Sequence, residues 1–130
     1  MMKRLIAAAL AVLMSPAASL AEPHDIAVLQ GLDKVTARVS TLEAPVGQSI
    51  RFGTLEIIAR KCDKRPPEDT PESAAFLDIW EVRSGQPATT IFRGWMFASS
   101  PAVSALEHPV YDVWVIDCKN RNDGVNQATE

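Results

Sequence analysis

Residues that carry chemistry are scarce in this chain. Its 130 residues include two cysteines, two histidines and one tyrosine. There is no Cys-x-x-Cys pair, no glycine-rich loop to cradle phosphate, no dinucleotide fingerprint and no Gly-x-Ser-x-Gly turn. Those absences remove the signatures of dithiol redox proteins, nucleotide enzymes and α/β-hydrolases. Glu107, His108 and Asp112 are the only closely spaced ligand types, at no recognised metal spacing, so no metal and no cofactor is expected. An excess of one charge is also missing. Thirteen Lys+Arg against sixteen Asp+Glu give a formal net charge of −3, which argues against a nucleic-acid partner. With 47% hydrophobic and 22% charged residues, the chain reads as one ordinary globular domain.

No apolar run is long enough to cross a membrane, which takes about 20 residues. The longest candidate, Leu5 to Met14, follows Lys3 and Arg4 and is broken by Ser15-Pro16. Ser19-Leu20-Ala21 then places small residues at the −3 and −1 positions of a cleavage site. This is the pattern of a secretory signal peptide over residues 1–21, with no membrane span after cleavage. Loss of Lys3 and Arg4 leaves 11 cationic residues against 16 anionic ones, a net charge of −5. A periplasmic or secreted location follows as the expectation. Cys62 and Cys118 lie in the exported part, and an even count in an oxidising compartment reads first as one disulfide.

Residues 22–33 show weak periodicity and are expected as a loose lead-in. From Lys34 the pattern alternates, with Val35, Ala37 and Val39 on one face of a strand. Further strands are expected at Ser49–Phe52, Leu55–Cys62, Ala74–Arg83, Thr89–Phe97 and Val110–Cys118. Asp63–Ser73, with three prolines and six charged residues, is an exposed loop. Ser100-Pro101 starts a short helix that stops before Pro109. The expected fold is all-β, a small antiparallel sandwich or barrel of five to six strands over 34–118, with one short helix before the last strand. A polar tail follows over 119–130.

Two stretches carry a resemblance. Arg65-Pro66-Pro67-Glu68-Asp69-Thr70-Pro71-Glu72 leads into Ala75-Phe76-Leu77-Asp78-Ile79. Gly94-Trp95-Met96-Phe97-Ala98-Ser99-Ser100-Pro101 leads to Leu106-Glu107-His108-Pro109-Val110-Tyr111-Asp112-Val113-Trp114. From about Ala37 to Cys118 the chain resembles domain-of-unknown-function family 2155, exported proteins mainly of alphaproteobacteria. The resemblance implies an envelope protein and implies no activity, catalytic residue or ligand.

Catalytic ingredients are thin. His108 could pair with Ser99, Ser100 or Ser104 in a small hydrolase, but as a residue ending a helix it is more simply a cap for the last carbonyls. A less bland pattern precedes each tryptophan, in Asp78-x-Trp80, Arg93-x-Trp95 and Asp112-x-Trp114. Residues i and i+2 share a strand face. If the three strands share a sheet, Asp78, Trp80, Arg93, Trp95, Asp112 and Trp114 make one surface in which an arginine between two aspartates stacks on indole. Such a surface suits an envelope protein or glycan as partner. The competing reading puts the tryptophans in the core with the charged residues as a partly buried ion cluster. The expected function is a non-catalytic binding or assembly module of the cell envelope. The alternatives are the His108 hydrolase and an inhibitor of an envelope-attacking enzyme.

Overall fold

A computed structural model describes residues 21–122, so the expected signal peptide lies, but for Ala21, outside the described residues, as does the tail beyond Asn122. Among the described residues the chain is all-β, with eight strands: β1 (Glu22–His24), β2 (Ile26–Asp33), β3 (Arg38–Pro45), β4 (Ser49–Phe52), β5 (Leu55–Lys64), β6 (Ser73–Glu81), β7 (Thr89–Phe97) and β8 (Tyr111–Lys119). A single 3-10 turn, Pro101–Ser104, lies between β7 and β8. Two antiparallel sheets form. One runs β1-β5-β6-β7 with β4 also paired to β5, and the other runs β3-β2-β8. They are not closed into a barrel. Their inner faces share one core built from Leu55, Ile57, Leu77, Ile79 and Met96 of the first sheet with Ala27, Leu29, Val113 and Val115 of the second.

Two sequence expectations are corrected. Residues 22–33 are not a loose lead-in: β2 is the central strand of the second sheet, and Ala27 and Leu29 are fully buried. Its periodicity is weak because a central strand carries apolar residues on both faces, here Val28 and Leu32 opposite Ala27 and Leu29. Gly31 also lowers its strand signal, yet the glycine is needed. A Cβ there would sit 2.7 Å from the Phe52 ring. The alternation from Lys34 becomes a strand only at Arg38. Residues 34–37 form the turn between β2 and β3, and Val35 is 77% exposed. Asp33 Oδ1 accepts from the N–H groups of Val35 and Thr36 at 2.9 and 3.3 Å, and Ala37 takes the left-handed conformation at φ 57°. This side-chain turn outcompetes the strand suggested by the pattern.

Cys62 on β5 and Cys118 on β8 form a disulfide that joins the two sheets, with Cα atoms 5.7 Å apart. Each cysteine follows a phase break. Leu55, Ile57 and Ala59 face inward, then Arg60 and Lys61 are both exposed before Cys62 turns in again. The pairing of β5 with β6 slips by one residue between Ala59 and Lys61, a β-bulge. In β8, Val113 and Val115 face inward, Ile116 is the extra residue at the slip against β2, and Cys118 turns in. One extra residue per strand thus aims both thiols into the same interior.

Candidate binding surface

Strand alternation on β6 sends Ala75, Leu77 and Ile79 into the core and leaves Phe76, Asp78 and Trp80 on the outer face. On β7, Met96 is buried while Arg93, Trp95 and Phe97 face out. The register sets Phe76 opposite Trp95 and Asp78 opposite Arg93. The Phe76 and Trp95 rings meet edge to face, with centroids 5.6 Å apart and planes at 84°. That arrangement is favoured by the ring quadrupoles.

Asp78 is the buried charge of this face, its side chain 3% exposed. Arg60 Nε donates to Asp78 Oδ2 at 2.8 Å, and Arg93 Nε lies 3.2 Å from Oδ1. The ion cluster is therefore one aspartate between two arginines, the inverse of the expected arginine between two aspartates. The arginines are 47% and 70% exposed. Arg60 is the partner that the sequence reading missed. It is the extra residue of the β5 bulge, and the bulge brings both Arg60 and Lys61 to the side where Phe76 and Trp95 stand. These four residues line a cavity of about 340 Å³. A second cavity, of about 330 Å³, lies on the other side of Trp95 and includes Arg65, Glu72, Ala74 and Phe97 in its lining.

The six expected residues do not share one sheet. Asp78, Trp80, Arg93 and Trp95 belong to the first sheet, whereas Asp112 and Trp114 stand on β8 in the second, opposite Leu32 and Gln30 of β2. There they line a separate recess of about 470 Å³ beside the 3-10 turn, with Pro101, Ala102 and Ala105. Among the described residues, the buried core and the partly buried side chains packed against it include none of the three tryptophans. Phe52, Ile91, Phe92 and Tyr111 are among the large side chains packed there. The reading of the tryptophans as core is corrected accordingly.

His108 is committed elsewhere. Its Nδ1 accepts from the backbone N–H groups of Val110 and Tyr111 at 3.0 and 3.1 Å. This pattern assigns the ring proton to Nε2, which donates to Glu81 Oε2 at 2.9 Å. A lone pair that already accepts two amides is not free to take a proton from a serine. The ring thus caps the start of β8 rather than a helix end. Glu81 Oε1 accepts from Thr54 Oγ1 and Arg83 Nε. Burial works to raise the Glu81 carboxyl, but the hydrogen bonds from Arg83, Thr54 and His108 outweigh it and hold the group below its ordinary value. Ser99 is engaged with Glu72, which its hydroxyl and N–H both bond. Burial again opposes, and the bonds from Ser99 and Ser73 with the charge of Arg65 lower the Glu72 carboxyl. The Ser104 side chain lies outside the described residues.

A family described as an uncharacterized protein conserved in bacteria (DUF2155) matches residues 27–118. The chain belongs to the DUF2155 family. An uncharacterized protein of Rickettsia prowazekii (strain Madrid E) is 31% identical over 87 residues, 67% of this chain and 56% of that protein. The chain therefore spans about half the length of this relative. No solved structure matches the chain. The DUF2155 match begins at Ala27, inside β2, and ends at Cys118, so it takes in the strand read from the sequence as lead-in. Among the described residues, no helix is long and apolar enough to cross a membrane, and no three His, Cys, Asp or Glu side chains group to hold a metal ion.

Proposed function

We propose that this chain is an exported, non-catalytic binding or assembly module of the cell envelope, and that it takes a protein or glycan partner on the outer face of its first sheet. One observation carries the reading. Trp80, Trp95 and Phe76 stand half-buried on that face instead of joining the core. A small β domain normally spends its largest apolar side chains on its interior, and aromatic surface beside arginine is the composition enriched where partners dock. The Arg60–Asp78–Arg93 cluster adds fixed charge beside that aromatic surface. Export is supported by the pattern of residues 1–21 and by the disulfide, which suits an oxidising compartment.

The test is quantitative capture of a partner from an envelope extract by wild-type protein, Arg93→Ala and Asp112→Ala. Arg93 is mostly in water and Arg60 still pairs with Asp78 in its absence, so this variant should keep the fold. Capture by wild type and Asp112→Ala, with loss in Arg93→Ala, is the expected result. Equal capture by all three proteins moves the site off this face and defeats the proposal.

A further inference from the structure

The bulge in β5 builds a cradle whose chemistry is one-sided. In a regular strand Arg60 and Lys61 would point to opposite faces. The extra residue between Ala59 and Cys62 instead exposes both, and both line the cavity walled by Phe76 and Trp95. Arg60 and Arg93 reach the same carboxylate, Asp78, and Lys61 has no ion pair among the described residues. Two cations thus share one buried anion and Lys61 adds a third positive charge to the cradle, in a chain whose formal net charge is −3.

We infer that the Arg60–Lys61–Phe76–Trp95 cradle is a binding site for a carboxylate carried next to an aromatic ring, as an acidic, aromatic-bearing segment of a partner polypeptide would present it. This inference rests on the module reading above and names the chemistry of its partner. Charge complementarity supplies the first reason. Arg60 bonds Asp78 through Nε, and among the described residues no other partner is bonded to its guanidinium. Its remaining donors suit an incoming carboxylate, with Lys61 as a second cation. The second reason is what the lining lacks. Arginine, lysine, phenylalanine and tryptophan side chains offer donors and ring surface but no acceptor. Sugar hydroxyls need acceptors as well as donors, so a neutral glycan would leave donors unmatched here. A carboxylate beside a ring needs only donors and an aromatic wall. The space, about 340 Å³, accommodates one such group.

The probe is N-acetyl-phenylalanine, set against its neutral amide and against glucuronate, each titrated into the disulfide-bonded protein. Binding is read from the amide signals of Arg60 and Lys61 and the indole signal of Trp95 in nitrogen–proton correlation spectra. The expected result is saturable shifts of those signals by the acid, with the amide and glucuronate weaker by about tenfold or more. Lys61→Met should weaken binding of the acid by a similar factor. Among the described residues Lys61 makes no ion pair, so its loss should leave the fold intact, and an unchanged spectrum elsewhere verifies this. Trp95→Ala should abolish the shifts. If the amide binds as tightly as the acid at these residues, the anion assignment is overturned while the module reading stands. Preference for glucuronate overturns the polypeptide assignment. If no probe shifts these signals although extract capture still depends on Arg93, the cradle inference fails alone.

Discussion

Removing both arginines from the first sheet's outer face should destabilise the protein by more than the two single losses combined. Asp78 is the reason. Its side chain is 3% exposed, whereas Arg60 and Arg93 are 47% and 70% exposed. The Arg93→Met variant leaves Asp78 its 2.8 Å bond to Arg60 and gives up a mostly solvated contact, worth about 0.5–1 kcal/mol. Arg60→Met gives up the shorter, less exposed bond, about 1–2 kcal/mol. The double variant strands a buried carboxylate with no cation, a loss of about 3–5 kcal/mol. In a domain of this size that lowers the melting temperature by more than about 12 °C. Adding Asp78→Asn removes the charge and recovers most of the loss. Thermal melts of the singles, double and triple test each step. Strict additivity of the two single losses in the double variant would refute the reasoning.

Reduction of Cys62–Cys118 opens a link spanning 56 positions and should cost about 4 kcal/mol, read as a lower urea midpoint in the reduced protein. Coincident oxidised and reduced curves would remove the disulfide from the stability of the fold. Glu81 and Glu72 are held below the ordinary glutamate value, so their contribution is present at neutral pH and is lost as pH falls through about 4.3 and below. Glu81→Gln should flatten the acid limb of a stability–pH profile, and an unchanged limb counts against the network around His108. Gly31→Ala should cost about 1–3 kcal/mol, because its methyl group meets the Phe52 ring, which must shift. Unaltered denaturant unfolding would show that the ring moves freely.

Much of the fold was legible because most strands of this protein bury one face. Leu55, Ile57, Leu77, Ile79, Val113 and Val115 recur at period two, and all of them are core. Where both faces of a strand carry apolar residues the signal fades, as in β2. Where a side chain supplies its own turn the signal misleads, as Asp33 does for residues 34–37. The expected binding residues were half resolved. Period two placed Asp78 and Trp80 on one strand face, and Arg93 and Trp95 on another, and the turn between these consecutive strands joins the two as a hairpin, but pairing with strands farther off in sequence was needed to send Asp112 and Trp114 to the second sheet. Arg60 did leave a trace. Ala59 and Cys62 are both inward yet three positions apart, an interval that period two forbids without a bulge. Reading that break would have turned Arg60 and Lys61 outward together.

The most direct test of the first sheet's outer face as the working surface is site-specific photo-cross-linking in cells. A photoreactive side chain replaces Trp95 in one protein and Val39 in another. Val39 is on the edge strand of the second sheet and is 57% exposed. Cross-links to a discrete partner from position 95, and none from position 39, are the predicted result. Partner cross-links from position 39 with none from position 95 would contradict it.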